Sequence, residues 1–123
     1  MKKQESGQSL IEVLAAIAVT VLVILALVTA TTISVRNMTF ASKQSLATQY
    51  AREAIEEVRA FRDSDPDSFF AGSCPSFEEI EGFTRTVTCE SNVVDRVRVI
   101  VTVTWVDAKG THKSNLETYL TRW

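Results

Sequence analysis

Four sets of residues in this 123-residue chain have types and spacings that could do chemistry. The first is a lone carboxylate, Glu12, set directly against residues 13–35, which contain no charge, Gly or Pro. An acidic group at full depth in a hydrocarbon layer costs about 2.5–3.5 kcal/mol, so Glu12 calls for a cationic partner unless it merely snorkels to water. The second is the only cysteine pair, Cys74 and Cys89. A bridge between them would close a loop of about 15 residues, worth roughly 3 kcal/mol in chain entropy. It would persist in an oxidising compartment, and in a reducing one the pair would be two thiols. The third is the single histidine, His112, which lies just past a turn with no Cys or Ser motif beside it and reads as a solvated surface residue. The fourth is the acidic trio Glu78, Glu79 and Glu81, able to attract a cation weakly but without the ordered Asp and Asn spacing of a calcium loop. There is no phosphate loop, thiolate zinc set or His-pair motif. The expectation is a protein that is not an enzyme and needs no cofactor or metal.

The elements that hold these residues begin with the apolar run. A helix crossing a hydrocarbon core of about 30 Å needs roughly 20 apolar residues at about 1.5 Å each. Residues 13–35 suffice, and the remainder of the chain is too short to wrap a helix that is apolar on every side. Lys2 and Lys3 precede the run, so the N-terminal side is expected in the cytoplasm and residues 36–123 outside it. A net charge of −2 argues against a nucleic-acid partner held by a basic face. Cleavage has two readings. An ordinary secretory signal would be cut after the run, at Val28-Thr29-Ala30. The residues before the run, however, include Lys2, Lys3, Glu5 and Glu12, whose charges cancel, and a carboxylate against the apolar core is a poor export signal. No Cys near the run offers a lipid-attachment site.

The stretch Ser6-Gly7-Gln8-Ser9-Leu10-Ile11-Glu12-Val13-Leu14 resembles the N-terminal signature of type IV pilins and pseudopilins. That family has a short basic leader ending in Gly, a cut before the apolar helix, and a Glu at the fifth mature position. Gly7 and Glu12 match by offset, and Lys2, Lys3 and the apolar residues match in kind. The resemblance implies a leader of residues 1–7, cleavage between Gly7 and Gln8 by a prepilin peptidase, and N-methylation of Gln8. It implies that Glu12 neutralises the cationic amine of a neighbouring subunit as N-terminal helices bundle on an inner-membrane assembly platform. Gln8 stands where the family most often has Phe, and no Gly or Pro interrupts the chain between Gln8 and Asp65. These departures point to the minor class of subunit. Residues 8–35 would be the membrane and assembly half of the helix, and the mature chain would end in a cell-surface or periplasmic filament. A reading from another class is a single-pass anchored binding domain outside the cytoplasm that never polymerises.

The helical pattern continues past Arg36. Leu46, Tyr50 and Ala54, with Ala47, Ala51, Ile55, Val58 and Phe61, make one apolar stripe at steps of three and four. Lys43, Gln44, Arg52, Glu53, Glu56, Glu57 and Arg59 make a face expected to be solvated. Asp63-Ser64-Asp65-Pro66 should stop the helix. Residues 64–82 read as a loop whose Phe69, Phe70 and Phe77 fold over the core, with one helical turn starting at Ser76 as N-cap. Residues 83–123 read as a three-strand meander. Phe83, Arg85, Val87 and Cys89 alternate with Thr84, Thr86 and Thr88; Val97, Val99, Val101, Val103 and Trp105 face one side; Asp107-Ala108-Lys109-Gly110 is a turn; the third strand runs over 113–123. The expected fold class is α+β: one long N-terminal helix, membrane-spanning in its first half, packed on a small antiparallel sheet of about three strands.

Overall fold

The computed structural model describes residues 5–122. Lys2 and Lys3, read above as the basic leader, and Trp123, read as the end of the last strand, lie outside the described residues. The architecture is α+β. Helix α1 (Glu5–Ser64) is followed by a short helix α2 (Pro66–Phe70) and by three strands, β1 (Thr84–Val93), β2 (Arg96–Asp107) and β3 (Gly110–Thr121). The strands form one antiparallel sheet in the order β1-β2-β3. The chain divides into two units, one up to Ala41 and one from Ser42 onward.

Among the described residues the first unit is helix alone. Its apolar side chains are exposed on every side, Ile11 at 70% and Leu22 at 66%. By length and composition α1 can cross a membrane, and none of its most apolar stretch is buried. Thr20, Thr29, Thr31, Thr32 and Thr39 each donate a hydroxyl hydrogen bond of 2.8–3.0 Å to the carbonyl four residues back. Their polar atoms are thus satisfied within the helix, as an apolar surrounding requires.

In the second unit the stripe on α1 packs against one face of the sheet. Ala47, Ala51, Ala54, Ile55 and Val58 are buried with Val97, Val99, Val101, Val103, Trp105 and Leu120. Small residues on the helix and β-branched ones on β2 let the backbones approach closely while filling the space between. β2 is the central strand, and its inner residues alternate with half-buried outer ones, as the period of two demands. Leu46 departs from the expected stripe and is exposed, because it lies at the margin of the buried arc.

The interval 64–82 differs from the expected loop. Asp65 leaves helical geometry (φ −143°, ψ 74°), and its Oδ1 accepts from the Ser68 amide at 3.2 Å, capping α2 with Pro66 in the first helical turn. Ser68, through its hydroxyl first and its amide second, holds the Asp65 carboxyl below its ordinary pKa. The helical turn expected at Ser76 is absent; the cap chemistry is satisfied eleven residues earlier, at Asp65, where Pro follows directly. Residues 73–79 are irregular, and a tight reversal at Glu81 and Gly82 (φ 49° and 82°) joins Ile80 to Phe83 by paired backbone bonds of 2.8 and 3.0 Å. Phe69 is wholly buried, and Phe70 and Phe77 are half-buried against the core. β3 begins at Gly110 rather than 113, because a two-residue turn lets the ladder zip to its end, with Asp107 opposite Gly110.

Candidate functional site

Gly7, Gln8 and Glu12 all fall on α1 in its exposed first unit. A Cβ added at Gly7 would meet nothing within 4 Å. Gln8 and Glu12 are four apart, so they lie one turn from each other on the same side of the helix. Glu12 is exposed among exposed apolar neighbours, Ile11, Val13 and Leu14. The arrangement places a glycine and a carboxylate five residues apart on an exposed apolar shaft.

The second chemical feature is the bridge. Cys74 and Cys89 are bonded, with Cα atoms 5.8 Å apart, and this ties the irregular segment to β1. Two further contacts fix that segment. Tyr50 donates to Glu81 Oε2 at 3.1 Å, and the Arg85 guanidinium lies 4.9 Å from the Phe77 ring centre. Desolvation first, and Glu81 second, hold the Tyr50 hydroxyl above its ordinary pKa. Arg85 is 8% exposed, and its Nη1 stands 3.9 Å from Glu57. Long-range contacts of this kind carry no local sequence signal.

His112 does not sit in solvent as a lone ring. β3 starts early enough to include it, and it lies opposite Trp105 in the ladder. Its ring stacks on Trp105 at 5.5 Å and 28°, and its Nε2 lies 2.9 Å from Asp107 Oδ1. The signal was present: once the turn is placed at Ala108 and Lys109, Trp105 and His112 are equidistant from it. The His112 ring, and then the Lys109 amide, hold the Asp107 carboxyl below its ordinary value of 3.8. A carboxyl depressed on folding stabilises the fold above its unfolded pKa and loses that contribution as pH falls through the folded one. The expected result is that the gap in thermal midpoint between the native chain and Asp107→Asn is full at pH 6 and closes as pH falls below about 4. A gap that stayed constant down to pH 2 would exclude the pairing.

On the outer face of the sheet, Arg98 clasps Glu117 with bonds of 2.6 and 2.8 Å and Glu90 with one of 3.2 Å. The first contact lowers the Glu117 carboxyl pKa and raises that of Arg98. Glu78 and Glu79 are exposed and Glu81 is turned to Tyr50. Among the described residues no three His, Cys, Asp or Glu side chains converge to hold an ion. No family model, curated protein or solved structure matches the chain.

Proposed function

We propose that this chain is a structural subunit, a minor pilin or pseudopilin, of a type IV pilus or a type II secretion-like filament. One observation carries the reading: the first unit's helix, apolar over residues 13–35 and exposed on every side, is headed by Gly7, Gln8 and Glu12 at the spacing of a prepilin cut followed by a fifth-position carboxylate. An apolar shaft of this kind needs lipid before assembly and the helices of other copies after it. In this reading a prepilin peptidase frees the Gln8 amine, which is then methylated and stays cationic. Glu12 of an adjoining subunit pairs with it in the helix bundle, where a low dielectric couples the charges strongly. The second unit rides outside, and its bridge suits an oxidising compartment.

The test is the N-terminus of the protein isolated from membranes, read by mass spectrometry. A chain starting at Gln8, with a methylated amine, is the expected result. A start at Thr31 would make the protein an exported soluble domain. An uncut chain in a host with an active prepilin peptidase would favour a permanently anchored binding domain, and either result overturns the filament reading.

A further inference from the structure

The two edges of the sheet are treated differently. Along β1 the outward edge is shielded by the segment before it: the Cys74–Cys89 bridge crosses it, Cys74 Sγ lies 3.9 Å from the Val87 carbonyl oxygen, and Ser91 Oγ bonds the Phe70 carbonyl at 3.4 Å. β3 has no such cover. Counting from the closing pair Asp107 and Gly110, every second residue of β3 turns its N–H and C=O away from β2. These are Thr111, Lys113, Asn115, Glu117, Tyr119 and Thr121. The parity is confirmed at Thr121, whose carbonyl accepts from Arg62 Nη1 on α1 at 3.3 Å. Among the described residues no hydrogen bond reaches the outward backbone of residues 111–119. A long, uncovered edge is a template for another strand.

Beside this edge a groove of about 270 Å³ separates β3 from α1, with Ile55 and Leu116 at its floor and Arg52, Glu56 and Arg59 on its helix side. Leu116 and Thr118 are only half-buried there, so the inner face of β3 is also incompletely covered.

We propose that β3 pairs antiparallel with β3 of a second copy of this chain, centred on Asn115. Charge selects the occupant and the register. Pairing outward residue with outward residue about Asn115 sets Lys113 opposite Glu117 of the copy, and Glu117 opposite its Lys113. A shift by two residues either way places each of these charges opposite a neutral residue, Thr111, Asn115 or Tyr119. Opposite charges directly across a ladder attract and like charges repel. Glu117 is already held by Arg98 of its own chain, so Lys113 of the copy joins that pair as a second cation, and the centred register makes Lys113 and Glu117 its recognition code. It also sets Leu116 beside Ser114 of the copy over the two half-open grooves. The contact is two-fold and closes on two copies, whereas a filament needs a head-to-tail contact. It therefore stands or falls apart from the filament reading.

The experiment uses the full chain in detergent micelles carrying Asn115→Cys. Cys74 and Cys89 are bonded to each other, so the new thiol is the only free one. A short bismaleimide should give a cross-linked dimer, and Thr86→Cys, on the outer face of β1, should give none. Adding K113E alone or E117K alone sets like charges opposite each other twice and should abolish the dimer. Mixing the K113E and E117K chains restores both attractions and should bring it back, which also shows that each variant is folded. Cross-linking of Thr86→Cys at a comparable yield would mean mere crowding through the apolar helix. That result, a dimer indifferent to either charge reversal, or a mixture that fails to recover would overturn the proposal.

Discussion

A chain carrying Glu12→Ala should reach the membrane and lose its leader after Gly7, yet be missing from sheared filaments. The carboxylate sits on the exposed apolar surface of α1, away from any packed core, so its removal costs the folded subunit nothing in tertiary contacts. What it removes, on the proposed filament reading, is a partner for the Gln8 amine of an adjoining copy. A charge left alone in a low-dielectric helix bundle is worth about 3–5 kcal/mol against the pair. At about 1.4 kcal/mol per decade, that is a loss of more than a hundredfold in incorporation. Glu12→Gln keeps size and polarity and removes only the charge, so it should fail almost as badly. The check is immunoblotting of filament and membrane fractions with the N-terminal mass in parallel. Normal incorporation of the Gln chain would remove the ion pair from the mechanism, and the apolar helix alone would then have to drive assembly.

How far these features could be read from the sequence follows from the range over which each is determined. The span of α1 rests on local facts: no Gly or Pro from Gln8 to Asp65, then Pro66. The inner row of β2 was visible because period two is written in Val97, Val99, Val101, Val103 and Trp105. The motif at Gly7 to Glu12 is purely sequential. By contrast, α2 was hidden because Asp65-Pro66 reads equally as the stop of one helix and the start of the next, and burial of Phe69 decides between them. His112 was misplaced because its surroundings depend on where a neighbouring turn closes. Arg85 looked like one residue of an alternating strand; its burial under Phe77 and beside Glu57 depends on two segments meeting across the domain edge. Local rules see periods and punctuation, and side chains recruited from afar leave neither.

The largest stability effect is expected at a residue in that misread interval. Phe69 on α2 is fully buried and meets two aromatic rings edge-on: Phe61 of α1, at 6.3 Å and 75°, and Phe70, at 5.2 Å and 83°. It closes the end of the core where α1 stops. Phe69→Ala loses the transfer energy of the ring and leaves a cavity, together about 3–5 kcal/mol. Small domains hold roughly 5–15 kcal/mol in all, so the second unit would fall near the edge of stability. The thermal midpoint should drop by more than about 10 °C. The disulfide does not rescue it, because residues 74–89 lie beyond Phe69 and the bridge constrains only the loop between them. Phe70→Ala is the control: its ring is half-buried and faces the Arg122 guanidinium at 5.4 Å, so its loss should be distinctly smaller. The measurement is thermal unfolding of the full chain in detergent, followed by tryptophan fluorescence, since Trp105 lies in the same core. If Phe69→Ala unfolds within about 1 kcal/mol of the native chain, α2 is only an ornament on the surface. If the loss is large while Phe70→Ala stays mild, the short helix is a structural plug, and the fold depends on a segment that looks like a linker.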